Sequence, residues 1–493
     1  MPINRRAFLH AVGLGAAAAA LAGCGDTQTT TSGQAPAAID FPALAGKLSG
    51  PLITPDEPGY DLARRSFNPL FDNRMPAAVA QCRRVEDVQA CVSAAAAARS
   101  PIAARSGGHS YAGYSTPDNA LIVDLSGMST VQVNADGTAV IGAGARLIDV
   151  YTALAGAGRC LPAGSCPSVG IAGLTLGGGI GMLSRKYGLT CDRLVSARVV
   201  TADGTARTVS ASAEPDLFWA LRGGGGGNFG IVTSFTFDTV PAPQLTVFEL
   251  GFPAGSVPDV LGHWQQRILT MPEELTANCH IIGGSPPSCT VIGCYVGPAS
   301  ALNPLLTDLI RRIGKQPTSR TVAQHDYLQG MRHFAGCSAI SAAECHDEAS
   351  GRHWNREAFV ASSRLLTAPV ADPAQIGSVF DGRTVFVIVD GLGGAISRVT
   401  PADTAFPHRG ALATIQIYLK TSPPGRAAAA SSLAEMRNQL TGIVGGGAYV
   451  NYIDPGMPNW AHAYYGDNLT RLRQVVQRYD PGRVFTFPQA ITT

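Results

Sequence analysis

His109 and Cys166, two residues able to form covalent bonds to a ligand, each stand in this sequence inside a run of small residues. The first run is Arg105-Ser106-Gly107-Gly108-His109-Ser110-Tyr111-Ala112-Gly113. Successive small residues let backbone N–H groups turn inward together, which makes a nest for an anion such as a pyrophosphate. A histidine at such a nest can reach a ring system joined to the same phosphates. A tight turn with a surface histidine would read the same way. The second run is Gly164-Ser165-Cys166-Pro167-Ser168-Val169-Gly170-Ile171-Ala172-Gly173, continuing through Gly177-Gly178-Gly179-Ile180-Gly181. Its seven glycines in eighteen residues interrupt any helix or strand and suit chain wrapped around a ligand edge. By itself, a cysteine there reads equally well as a small buried hydrophobe. A third run, from Arg222 to Gly230, contains Asn228 and leads into Ile231. A strand follows it rather than a helix, so it is not a Rossmann fingerprint, and a flexible loop is the plain alternative. No CxxC pair or HExxH motif points to a metal.

The elements that must position these runs follow from periodicity. Ala78–Ala80 and Ile102–Ala104 read as strands flanking an Ala-rich helix from Val85 to Arg99, so the first run leaves the end of a strand. Leu121–Leu125 reads as a buried strand and Leu147–Ala155 as a helix. Val131–Val133 with Thr138–Ile141 forms one hairpin, and Ala197–Thr201 with Ala206–Val209 a second. Ile231–Asp238 is a closing strand. Beyond Pro241, strands at Thr246–Gly251, Val291–Tyr295, Val385–Val389 and Ala413–Leu419 alternate irregularly with helices near Leu261 and Leu305. That texture predicts an α+β second lobe. A helix over Leu469–Arg478 precedes Asp480-Pro481-Gly482.

The chain has 493 residues, too many for one ordinary core, with 45% hydrophobic and 15% charged residues. Glycine is in excess, 57 in all. A formal net charge of +2, without a Lys/Arg block, excludes a broad field for nucleic acid. Asn4-Arg5-Arg6-Ala7-Phe8-Leu9 has the form of a twin-arginine export signal. The apolar stretch from Ala11 to Ala22 is too short to span a bilayer as a mature helix. Leu21-Ala22-Gly23-Cys24 resembles a lipobox, which would tether the mature chain to a membrane through Cys24. Residues 1–24 are therefore assigned to the signal and 25–50 to a flexible linker. Eleven cysteines suit an exported protein. Cys337 and Cys345 are close enough to pair, and Cys279, Cys289 and Cys294 could supply another bridge.

Taken together, the three runs resemble the FAD-binding lobe of the berberine bridge enzyme-like oxidases, in the vanillyl-alcohol oxidase/p-cresol methylhydroxylase superfamily. The resemblance runs from about Gly59 to Gln489. It includes Tyr449-Val450-Asn451-Tyr452-Ile453-Asp454 and the ending Asp480-Pro481-Gly482-Arg483-Val484-Phe485-Thr486-Phe487-Pro488-Gln489. It implies an α+β fold of two lobes: an FAD-binding domain of the p-cresol methylhydroxylase type over 51–240 and a substrate domain with an antiparallel sheet over 241–448. A segment over 449–493 would return to the FAD lobe.

The resemblance also implies roles. FAD would be held bicovalently, through its 8α-methyl carbon by His109 and through C6 by Cys166. Contacts to it would come from Arg105, Ser106, Gly107, Gly108 and Ser110. Others would come from Val169, Gly170 and Gly173, from Gly177, Gly178 and Gly181, and from Asn228, Gly230, Ile231 and Asn451. Tyr452 would be the base that takes the substrate's O–H proton, with Tyr449 and Tyr111 as hydrogen-bond partners. Since free tyrosine has a pKa of about 10, a nearby cation or phenol is expected to lower it. Gln416 and Asp390 match positions that face the substrate or support the base in the carbohydrate-oxidising branch, from which Ile388 departs. Val169 would leave room for dioxygen at the flavin, where leucine tends to accompany dehydrogenases. The implied activity is oxidation of an alcohol or hemiacetal in a sugar or secondary metabolite, with dioxygen becoming hydrogen peroxide. Two alternatives are a dehydrogenase with a quinone or protein acceptor, and an inactive, lipid-tethered binding protein.

Overall fold

The computed structural model describes residues 38–346 and 356–492. The export signal and lipobox lie outside the described residues. Among the described residues no helix is long and apolar enough to cross a membrane.

Two sheets build the first lobe. Strands β1 (Leu52–Ile53), β2 (Ala78–Gln81), β3 (Ile102–Arg105) and β4 (Leu121–Asp124) lie in the order β1-β2-β4-β3. Strand β4 runs parallel to both β2 and β3. The helix Val85–Ala98 makes the crossover between β2 and β3 and buries Val88, Cys91, Val92 and Ala95, one helical face. The second sheet is antiparallel, in the order β5-β6-β10-β8-β9. Its strands are β5 (Val131–Val133), β6 (Thr138–Gly142), β8 (Leu194–Val200), β9 (Ala206–Ser210) and β10 (Ile231–Asp238). A short pair, β7 (Arg159–Cys160) with β11 (Val240–Pro241), closes the lobe.

The second lobe is one antiparallel sheet of seven strands, ordered β15-β12-β14-β13-β17-β18-β16. They are β12 (Leu245–Phe252), β13 (Leu275–Ile282), β14 (Ser288–Val296), β15 (Ser319–His325), β16 (Phe359–Leu366), β17 (Phe386–Gly391) and β18 (Ala413–Lys420). Helices Val257–Arg267, Ala299–Ile313, Ala374–Phe380 and Arg426–Val444 cover one face and share its apolar core. Because side chains alternate along a strand, the other face presents Asn278, Asp390, Thr414 and Gln416 to the first lobe. The chain then returns. Helix Leu469–Tyr479 buries Leu472, Val475 and Val476 in the first lobe's core, beside Trp219.

Four sequence expectations need correction. Residues 41–50, assigned to the flexible linker, belong to the first lobe. Phe41–Ala45 is helical, Leu44 is buried, and the Ser49 N–H donates to Asp87 at 2.8 Å. The glycine run around Cys166 contains a short helix, Ile171–Leu176, in spite of Gly173. Cys337 and Cys345 form a disulfide, but Cys279, Cys289 and Cys294 are not bridged. Cys294 points to the sheet face opposite Cys279 and Cys289. Those two share a face but sit diagonally, Cys279 opposite Val291 and Cys289 opposite Ile281. Finally, the structure adds the 19-residue helix Arg426–Val444 and strands β13, β15 and β16, for which the sequence reading has no element.

Arg185 fastens the lobes together. It is 2% exposed on the first-lobe helix Ser184–Tyr187, and its guanidinium donates to the carbonyls of Leu275 (2.8 Å), Met271 (3.1 Å) and Leu392. Each buried carbonyl left without a donor costs roughly 1–3 kcal/mol. Arg185→Met is therefore expected to lower the thermal unfolding midpoint by several degrees, and Arg185→Lys to recover only part of the loss. An unchanged midpoint in Arg185→Met would show that the lobes are held elsewhere.

Candidate active site

Strand β3 ends at Arg105, and the loop that follows carries His109 into a cavity lined by the first lobe and the returning C-terminal segment. Among the described residues, the backbone N–H groups of Ser106, Gly107, Gly108, His109 and Ser110 donate to no protein acceptor. Five consecutive free donors lining a cavity form a cradle for an anionic ligand. Gly107 lies against Gly170 of the second run. A Cβ on Gly107 would stand 2.3 Å from the Gly170 nitrogen, so neither loop tolerates a side chain there. Val169, Gly170, Gly173, Gly230 and Ile231 line the same cavity, as do Tyr111, Asn451 and Tyr452. Asn228 also lines it, and its Oδ1 accepts the Ile491 N–H at 2.9 Å, tying down the chain's end.

Arg105 is placed differently from expectation. Its guanidinium is buried against Asp124 (Nε to Oδ2, 3.1 Å) and the carbonyls of Ala63 and Arg65, behind the loop it was expected to serve at the ligand. Gly177, Gly178 and Gly181 are also off the cavity wall. A Cβ at Gly177 would meet Asn451 Oδ1 at 2.0 Å, and one at Gly181 would meet the Ala163 carbonyl oxygen at 1.8 Å. Their smallness lets Asn451 and the neighbouring chain close in.

His109 and Cys166 are brought together by a residue that the sequence did not single out. Ser168 Oγ stands 2.9 Å from His109 Nε2 and 3.7 Å from Cys166 Sγ, so both nucleophiles flank one buried hydroxyl. The His109 ring stacks on Phe67 at 3.9 Å. Removal from water pushes its pKa down to about 3, and the Arg146 guanidinium acts in the same direction. The imidazole is neutral at ordinary pH and keeps a lone pair for bond formation.

The tyrosines gather on the 3₁₀ turn Val450–Tyr452. Tyr449, just before it, accepts N–H donors from Gly179 (3.0 Å), Ile180 (3.4 Å) and the Asn451 amide (2.8 Å). Its oxygen is saturated with donors, so it is poorly placed to take another proton. The Tyr452 hydroxyl donates to Asp390 Oδ2 at 2.9 Å, and its ring stacks on Tyr111 at 5.8 Å and 9°. Tyr111 accepts from Gln416 Nε2 at 2.7 Å. The expectation of a lowered tyrosine pKa fails. Burial pushes Tyr452 up, and Asp390, Tyr111 and Tyr449 push it the same way. Burial also raises Asp390, to about 6, against the hydrogen bond from Tyr452. Asn278, which no motif marked, donates from Nδ2 to Asp390 Oδ1 at 2.8 Å.

A cradle of free N–H groups, glycines at closest approach and a flanking pair of nucleophiles fit a large anionic cofactor with a reactive ring system. The comparisons agree. A family model described as "FAD binding domain" matches residues 76–210, and one described as "Berberine and berberine like" matches 448–492. The chain is 36% identical to an uncharacterized FAD-linked oxidoreductase of Bacillus subtilis, covering 90% of this chain and 97% of that one. It is 34% identical to a xylooligosaccharide oxidase of Thermothelomyces thermophilus, over 85% and 88% of the two chains. The solved structure of Physcomitrella patens BBE-like 1 superposes with a TM-score of 0.85 at 31% identity, covering 91% of this chain and 98% of that one. This chain therefore belongs to the berberine bridge enzyme-like family and is an FAD-dependent oxidoreductase of two-lobed α+β fold.

Proposed function

We propose that the protein is an oxidase holding FAD by two covalent bonds, through His109 and Cys166, and oxidising an alcohol or hemiacetal carbon with dioxygen as final acceptor. The observation that carries this reading is that one cavity is lined by a neutral His109, which shares the Ser168 hydroxyl with Cys166, and by Tyr452, which is hydrogen-bonded to Asp390. FAD held there by His109 and Cys166 would supply a two-electron acceptor for the hydride of the substrate carbon, with dioxygen as its oxidant and hydrogen peroxide as the product. The protein's part is to remove the hydroxyl proton. Tyr452 accepts it while its own proton passes to Asp390 Oδ2, so the charge comes to rest on neither phenol. Similarity to a xylooligosaccharide oxidase supports a sugar as substrate. Ile388, paired with Gln416 across β17 and β18, puts an apolar side chain beside the site, so aromatic alcohols stay in the search. Screening both classes for bleaching of the flavin without oxygen will identify the substrate.

Protein precipitated with acid is expected to stay yellow. His109→Ala and Cys166→Ala should each leave one linkage, and only the double variant should release all its flavin. Release of FAD from the wild type would refute the covalent reading.

Flavin reduction by substrate is expected to fall by about 10²–10⁴ in Tyr452→Phe, the usual range for a general base. The sign of the pH dependence follows from Asp390, whose pKa is raised to about 6. Below that value the carboxyl already holds a proton and cannot take one from Tyr452. Reduction should therefore accelerate as pH rises through about 6. Asp390→Asn should be slow and lack that limb. A wild-type rate that rises only near the ordinary tyrosine pKa of about 10 would instead make a free tyrosinate the base.

Val169 lines the cavity, and a leucine there would narrow the space that dioxygen needs in a close-packed site. Reduced wild-type enzyme mixed with aerated buffer is expected to reoxidise rapidly and to form peroxide, and Val169→Leu to do so more slowly. Reoxidation over many minutes in the wild type would favour a dehydrogenase.

We also propose export of the folded protein by the twin-arginine route and anchoring through lipidated Cys24. Arg5→Lys with Arg6→Lys should retain precursor inside the cell, and lipid labelling that survives Cys24→Ala would overturn the anchor.

A further inference from the structure

Backbone pairing between β13 and β17 ends at Cys279 opposite Val389, and the next position on β13 is Asn278. There the side chain takes over from the ladder. Asn278 Oδ1 accepts the Gly391 N–H at 2.9 Å, and Nδ2 donates to Asp390 Oδ1 at 2.8 Å, with Met182 Sδ 3.6 Å from the same nitrogen. A backbone N–H can only donate, so the amide oxygen must face Gly391 and the NH₂ must face Asp390. The amide is 5% exposed and cannot turn over without losing both bonds. Oδ1 of Asp390 therefore always meets a donor, while Oδ2 faces the Tyr452 hydroxyl at 2.9 Å.

The other groups around Asp390 leave this assignment unchallenged. Tyr452 and, behind it, Tyr111 are the titratable neighbours on the first-lobe side. Strand β18 presents Thr414 opposite Asp390; its hydroxyl carries no charge and favours the ionised carboxylate through a hydrogen bond, in the same direction as Tyr452. His280 lies on the same face of β13, with its pKa pushed down to about 4 by burial, so it is neutral near pH 6. The Arg185 guanidinium is occupied by the carbonyls of Leu275 and Leu392, at the ends of these strands.

We propose that Asn278 is a positioning residue that confines the acidic proton of Asp390 to Oδ2, so that Asp390 can exchange a proton only with Tyr452. The proposal deepens the reading of Tyr452 and Asp390 as the base pair and rests on it. The proton lost by the substrate hydroxyl goes to Tyr452, the Tyr452 proton goes to Oδ2, and Oδ1 remains the carbonyl held by the Asn278 amide.

Infrared difference spectra of the holoenzyme, recorded against pH without substrate, test this directly. The wild type should show a carboxyl C=O band that titrates and is missing in Asp390→Asn. In Asn278→Ala, and in Asn278→Leu as a second variant of closer volume, the carbonyl loses its donor. Its band should move to higher wavenumber and its midpoint should rise by about one pH unit, because a donor to the carboxylate has gone. A frequency or a midpoint that stays at the wild-type value overturns the proposal, as does the absence of any titrating band that Asp390→Asn removes. Failure of the underlying base reading shows separately: Asp390→Asn would then reduce its flavin as fast as wild type.

Discussion

The site depends on one hydrogen bond made between distant parts of the chain, from the Tyr452 hydroxyl to Asp390 Oδ2. Tyr452 sits on a three-residue turn that has no periodic structure to hold it. It is held from both sides instead. The Tyr449 N–H donates to Ser363 Oγ on β16 at 3.0 Å, while the Tyr449 hydroxyl is fixed by the Gly179 and Ile180 amides of the first lobe. Asp454, just beyond the turn, pairs with Arg437 of the second-lobe helix at 2.6 Å, and its carbonyl accepts from Gln489 at 2.8 Å. The turn is thus a rivet between lobes, and the Tyr452–Asp390 hydrogen bond forms only when both lobes are in place.

Asp390 is also distinct electrically. The other buried carboxylates near the joints have cations: Asp124 has Arg105, Asp192 has Arg409, and Asp454 has Arg437. Burying an ion pair is costly, and breaking one costs more, so these pairs fix geometry. Asp390 has an amide, a phenol and the neighbouring Thr414 hydroxyl around it, all of them uncharged. Burial without a cation lifts its pKa into the range where a proton can come and go, to about 6. The same burial that raises the tyrosine also raises the carboxylate beside it.

Backbone packing accounts for the glycines. Gly107 and Gly170 bring two loops so close that the His109 and Cys166 side chains flank the same Ser168 hydroxyl. The glycines one turn further on, Gly177 and Gly181, serve the protein's own chain by admitting Asn451 and the strand end at Ala163. Runs that look alike in sequence thus divide into those that line the cavity and those that meet protein.

The sequence by itself determined the local elements with strong periodicity: the helix Val85–Ala98, the two first-lobe hairpins and strands β12, β17 and β18. It also marked His109, Cys166 and the two tyrosines, because small-residue runs and a short aromatic motif are visible without knowing the fold. It did not reveal β13, β16 or the helix Arg426–Val444. In β16 the run Ala361-Ser362-Ser363-Arg364 breaks the alternation, and alanines mask the apolar spacing of Leu433, Met436 and Leu440 in the helix, whereas β13 does alternate, Thr276, Asn278 and His280 against Leu275, Ala277, Cys279 and Ile281. Tertiary structure alone decided the rest. Ser168 between the two nucleophiles, Arg105 turned away to Asp124, and Asn278 against Asp390 depend on partners 59, 19 and 112 residues distant in the chain. The direction of the tyrosine pKa was decided there too, since burial and the identity of the nearest charge exist only once the lobes have closed.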